Sequence, residues 1–147
     1  MLRLHSHSDL DQVVDTMVDL TRLSHLHRVI VTGGNSLQLC GALRRRGFVL
    51  VGTPTMCRPL RGHHAVGLIT GEHTLAGIIS ALDEIGGSLS AHASIAILIG
   101  GHESGFGLKI RARLEKMGFR IEAGVRCRQG LVLSAFRPGF GELKAAA

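Results

Sequence analysis

Residues 29–36 read VIVTGGNS. Four strand-favouring residues, Val29 to Thr32, run straight into a Gly33-Gly34-Asn35-Ser36 turn, and a helical stripe of Leu37, Cys40 and Leu43 follows at once. A strand that ends in a glycine turn and opens a helix is how open α/β sheets present backbone N–H groups to a ligand carrying phosphate or carboxylate. The uninterrupted apolar run marks a central strand covered on both faces. Ser36 is the expected cap of the helix, and Gly47 its expected stop.

Working outward, Ser8 followed by Asp11 has the form of a capped helix start. Leu10, Val13, Val14, Met17 and Leu20 then recur at helical spacing and predict an amphipathic helix over about residues 9–23. Downstream, Phe48 to Gly52 reads as a second buried strand, and Thr53 to His64, with two prolines and no periodicity, as a loop. Ala65 to Thr70 is a third strand, after which Leu75, Ile78, Ile79, Leu82 and Ile85 share a helical face that Gly86 and Gly87 end. Ser94 to Ile99 is a fourth strand, closed by GGHESG. Phe106, Ile110, Leu114 and Met117 mark a last helix, stopped by Gly118. Phe119 to Val125 and Leu131 to Phe136, joined by RCRQG, predict an antiparallel hairpin, and the residues from about 138 onward read as a disordered end.

Strand alternating with helix four times, then a hairpin, implies an α/β fold: a three-layer Rossmann-like sandwich, with a mostly parallel sheet and an antiparallel C-terminal hairpin. With 147 residues and 45% hydrophobic content, the chain can bury one ordinary core, so a single domain over residues 1–147 is expected.

The net charge of +6 allows an anionic partner. The cations are dispersed, however, and the one run, Arg44 to Arg46, falls where it complements a helix C-terminus. Trp and Tyr are absent, which removes the usual stacking residues and disfavours nucleic acid as partner. Three cysteines without CxxC spacing fit a reducing cytoplasm, and no apolar run reaches membrane-spanning length, so no membrane partner is expected.

In open α/β sheets ligands collect at the carboxyl ends of the strands, so Thr32 to Ser36, Thr53 to Thr55, Thr70 to His73 and Gly100 to Ser104 should converge. Two of these loops carry a neighbouring His and carboxylate, Glu72 with His73 and His102 with Glu103. Together they could bind a divalent metal ion or supply a general base. No HxxxH or HxH spacing links them, so no metal site is predicted. His63 and His64, on the opposite side of the sheet, read as surface histidines. The HxH pairs His5 with His7 and His25 with His27 read as incidental.

These elements resemble the class I S-adenosylmethionine-dependent methyltransferases. The stretch VIVTGGNSLQLCGALRRRGFVLVG, residues 29–52, is similar to that family's first strand, glycine turn, helix and second strand. LDEIGGSLSAHASIAILIG, residues 82–100, is similar to the stretch in which a helix ends in a glycine turn and enters the fifth strand. The resemblance implies S-adenosylmethionine as cofactor, bound by Thr32, Gly33, Gly34, Asn35, Ser36, Thr53 and Thr70. It implies methyl transfer to a small-molecule or protein acceptor, for which the loop residues Glu72, His73, His102 and Glu103 are the catalytic candidates.

Carried over residue by residue, the acid of the family's first motif falls on Val31, and its three glycines on Gly33, Asn35 and Leu37. The acid that holds the ribose hydroxyls falls on Thr53 or Pro54. Between Pro54 and Ala65 there is no room for the helix and strand that follow in the family. Two functions therefore stay open. One is an active transferase. The other is a methyltransferase-like fold without catalysis that serves as a binding or assembly module, for which a stable homo-oligomer is the expected sign.

Overall fold

In the computed structural model, which describes residues 2–56, 60–100 and 106–138, strand and helix alternate through the chain and end in a hairpin. The elements are α1 (Leu2–Thr21), β1 (Val29–Thr32), α2 (Ser36–Arg45), β2 (Val51–Gly52), β3 (His64–Ile69), α3 (Leu75–Gly86), β4 (Leu89–Ile99), α4 (Phe106–Lys116), β5 (Arg120–Cys127) and β6 (Gly130–Phe136). They build one six-stranded sheet in the order β2-β1-β3-β4-β6-β5. The first four strands in that order are mutually parallel, and β6 runs antiparallel to both β4 and β5. Two apolar layers flank the sheet. Val29 and Val31 of β1 face a core that includes Val13, Val14 and Met17 of α1 and Leu39 and Leu43 of α2. Ile30 faces the other core, with Ile78, Leu82 and Ile85 of α3 and Ile110 and Leu114 of α4. The period-2 pattern of a doubly covered strand thus fixes which helix lies on which face.

Several boundaries differ from those the sequence predicts. α1 begins at Leu2, so Ser8 lies inside the helix, not at its cap. A serine favours a cap but does not break a helix, and no Gly or Pro stands before Thr21 to do so. His5 and His7 consequently lie on helical backbone. The N-cap of α2 is Asn35 and not Ser36, and the Asn35 side chain makes no hydrogen bond to the first turn. Of the apolar run 48–52, only Val51 and Gly52 join the ladder, opposite Val29 and Ile30. Phe48 is instead buried with α1 and α2, its ring stacked on His25 at 4.4 Å, while Val49 is 71% exposed. β4 starts five residues early, because Leu89 pairs with His64 across a register shift before Ser94 pairs with Val66.

The arginine run lies at the end of α2 as expected, and two of its members hold neighbouring elements. Arg44 donates to the Val51 carbonyl (3.1 Å). Arg46 bridges to Asp11 (3.2 Å) and Asp15 (3.1 Å) of α1. Arg137, just past β6, collects the far ends of both helices of the other layer. It donates to the carbonyls of Gly86 (3.4 Å), Leu89 (2.9 Å), Ser90 (3.2 Å) and Met117 (3.2 Å), and it lies over the Phe119 ring. Burial lowers its pKa from the ordinary guanidinium value. Among the described residues no helix is long and apolar enough to cross a membrane. The expected disordered end falls, from residue 139 onward, outside the described residues.

Candidate functional site

The sheet order places β2 on one side of β1 and β3 on the other. The helix that follows β1 covers one face of the sheet, and the helix that follows β3 covers the opposite face. Helices that diverge in this way leave a crevice above the carboxyl ends of β1 and β3, where ligands of open α/β sheets bind. Both turns that edge the crevice are glycine turns, and they interlock. Gly33 adopts φ +111°, and a Cβ built on it would overlap the Thr70 carbonyl oxygen. A Cβ on Gly34 would stand 2.6 Å from the Gly71 carbonyl oxygen. Gly71, at φ +76°, lies against the backbone of Gly34 and Asn35. The Thr70 amide also donates to the Thr32 carbonyl (3.1 Å). Only residues without side-chain carbons permit this backbone-to-backbone contact. The glycines form the floor of the crevice.

Above that floor, the residues predicted to hold a cofactor divide in two. Gly34 and Asn35 are exposed, and Gly33 and Ser36 are half-buried, so the turn itself presents backbone to the crevice. The three threonines are buried: Thr32 is 6%, Thr53 3% and Thr70 1% exposed. The Thr32 hydroxyl donates to the Glu84 carboxylate of α3 (2.5 Å). The Thr53 hydroxyl lies 3.0 Å from that of Thr55 and accepts from the Met56 amide (3.2 Å).

Asn35 places no side-chain oxygen on the first turn of α2. Among the described residues that turn therefore keeps a positive end without a side-chain cap, suited to a carboxylate or phosphate. α3 is different. Thr74 caps it through the Gly77 amide (3.0 Å), and the Glu72 carboxylate lies over Gly77 in the same turn. A carboxylate there is favoured by the helix dipole. His73 is exposed beside it. His102 and Glu103 lie outside the described residues, and among the described residues no group of three or more potential ligands could hold a metal ion.

The opposite, amino-terminal edge of the sheet corrects one expectation. His63 is exposed, but His64 is 6% exposed, and its Nδ1 has no hydrogen-bond partner. Burial lowers the imidazole pKa below the usual 6.5, and repulsion from His63 and Arg28 lowers it further against the opposing effect of the Ser88 backbone. Gly71 lies within the Thr70 to His73 loop expected at the carboxyl ends of the strands, but the sequence assigns it no role of its own. The one signal that could have found it is a glycine at a strand end, repeated at Gly33.

No protein-family model matches the sequence, and no curated protein matches it. Solved structures do match. The magnesium protoporphyrin IX methyltransferase of Synechocystis PCC 6803, crystallised with bound S-adenosylmethionine, superposes with a TM-score of 0.57 at 15% identity, over 93% of this chain and 82% of that one. A SAM-dependent O-methyltransferase from Thermotoga maritima gives a TM-score of 0.60 at 12% identity, over 86% of this chain and 64% of its own length. A protein-(glutamine-N5) methyltransferase from Alicyclobacillus acidocaldarius gives 0.53 at 16% identity, over 87% and 92% respectively. The sheet order, the two helical layers and these likenesses agree: the chain has the fold of the class I S-adenosylmethionine-dependent methyltransferases.

Proposed function

We propose that the chain binds S-adenosylmethionine in the crevice above β1 and β3 and transfers its methyl group to an acceptor. The observation that carries this reading is the glycine floor at the point where the sheet order reverses, beneath an uncapped helix start. The backbone present fits the amino-acid end of such a cofactor. The amides at the start of α2, beside Asn35 and Ser36, would hold its carboxylate, and the exposed Gly34 lets the cofactor approach the turn closely. When bound, the cofactor supplies an electrophilic methyl group on a sulfonium. The chain's own part is to orient the acceptor in line and to accept its proton. Among the described residues, His73 is exposed beside the start of α3 for that task, with Glu72 next to it in the chain.

A specific observation favours a second reading, a non-catalytic binding or assembly module. The position that would hold the ribose carries Thr53, buried and engaged with Thr55 and Met56, in place of an exposed carboxylate. A threonine hydroxyl engaged in this way lacks the two oxygens with which a carboxylate accepts from both ribose hydroxyls. Calorimetry with S-adenosylmethionine and with S-adenosylhomocysteine, beside light scattering, separates the two. Saturable heat from a monomer supports the transferase. No heat at millimolar ligand, together with a stable oligomer, supports the module.

A further inference from the structure

At the amino-terminal edge of the sheet, far from the crevice, a cleft of about 290 Å³ opens beside β2. Its side chains are of two kinds. Arg28, His63 and His64 are basic, and Val49, Leu50 and Leu60 are apolar. No carboxylate lines it among the described residues. The three apolar residues are conspicuously wet, at 71%, 38% and 56% exposure respectively, although each is a residue type that folding normally buries. Nor do the three basic groups tolerate one another. His63 and Arg28 both oppose a charge on His64, whose ring packs edge-on to His63 at 5.6 Å and whose Nδ1 is left without a partner. A cluster of basic groups with no carboxylate among the described lining residues, above exposed apolar walls, describes the complement of an amphiphilic anion.

We propose that this cleft is a binding site for a small organic carboxylate with an apolar body, its head on Arg28 and His63 and its body against Val49, Leu50 and Leu60. Among the described lining residues Arg28 is the one group with a permanent charge, which matches the single charge of a carboxylate head. The volume lies at the small end of the roughly 300–1,000 Å³ usual for ligand pockets, which excludes a nucleotide-sized occupant. The site is independent of the methyltransferase reading, since it lies at the other ends of the strands.

The test is an NMR titration with octanoate, followed through the histidine ring signals and the leucine methyl groups. Saturable shifts of His63, His64, Leu50 and Leu60 are expected, with the His64 titration moving to higher pH as the anion offsets Arg28 and His63. Arg28→Gln, an exposed substitution whose fold is checked by its unchanged thermal midpoint, should weaken octanoate about tenfold or more. Leu60→Ser should weaken it as well, while inorganic phosphate at the same concentration should produce no saturable shift. The proposal is overturned by any of four results: no saturation at millimolar octanoate, equal affinity in Arg28→Gln, equal response to phosphate, or shifts that grow with protein concentration alone. The last would assign the cleft to a second copy of the chain.

Discussion

Gly71→Ala should destabilise the fold by about 2–5 kcal/mol, although it adds one methyl group to a half-buried turn. Two costs add. The residue holds φ +76°, which for an alanine costs about 1–2 kcal/mol. The new Cβ would also enter the backbone of the facing turn, overlapping the Asn35 nitrogen and standing 2.9 Å from the Gly34 carbonyl carbon. No flexible side chain can swing aside there, so the two turns must separate, an overpacking cost of about 1–3 kcal/mol.

Gly41→Ala provides the scale for the measurement. Gly41 lies in the interior of α2, and a Cβ on it would meet only the Arg45 side chain at an ordinary 3.5 Å. Alanine there should stabilise by about 0.5–1 kcal/mol through the helix. The assay is urea unfolding followed by far-ultraviolet circular dichroism, with the thermal midpoint of Gly71→Ala falling by on the order of 10 °C. The interlocked floor is refuted if Gly71→Ala lies within about 0.5 kcal/mol of the parent protein while Gly41→Ala behaves as stated.

Three further outcomes follow from other contacts. Asn35→Asp should stabilise α2 by about 0.3–1 kcal/mol through its dipole, yet weaken S-adenosylmethionine several-fold in calorimetry by placing a negative charge where the proposed function puts the cofactor carboxylate. The folded-state pKa of His64 is lowered, so the unfolded chain binds its proton more readily. Its contribution to stability is therefore intact above pH 6.5 and is lost as the pH falls through 6.5 toward the folded value. Urea unfolding at a series of pH values should show a shallower acid decline in His64→Leu than in the parent. Arg137→Ala should cost about 2–4 kcal/mol in the same assay, because the carbonyls of Gly86 in α3, Leu89 and Ser90 in β4, and Met117 just past α4 lose this donor, and Arg137→Lys should recover only part of that.

Where one local pattern decided the matter, the sequence was sufficient. The apolar run that ends at Thr32 gave β1, and the spacing of Leu75, Ile78, Leu82 and Ile85 gave α3. The alternation of units gave the parallel sheet with its antiparallel hairpin. Errors arose where a distant partner decides. Leu89 joins β4 through His64, a residue 25 positions away whose pairing no local period announces. His64 looks like a surface residue beside His63, and it is buried because β4 and the Ser88 carbonyl close over it. At the candidate site the glycine turn was legible, but what the glycines are for was not. Gly33 and Gly34 meet Thr70 and Gly71 only once β3 lies beside β1.

That contact changes what the glycines imply about a ligand. A glycine turn read alone suggests space left for a cofactor, yet here the space beside Gly33 is taken by the Thr70 carbonyl. The turn thus holds the crevice floor rigid, and any affinity must come from what faces outward. That outward surface is the backbone of Gly34 and Asn35 and the positive end of α2, which together favour a carboxylate. The cationic parts of S-adenosylmethionine, its ammonium and its sulfonium, need negative charge. The family's first acid position holds Val31, which is fully buried among α1 and α2, so an aspartate there would be an unpaired charge in the core. A net charge of +6 adds repulsion. Of the described carboxylates, Glu84 is bonded to Thr32, and Glu72 stands directly beside the interlocked Gly71. If the proposed function holds, discrimination in favour of the charged cofactor over its neutral product would therefore depend on how far Glu72 can serve the crevice while it also stands over the first turn of α3.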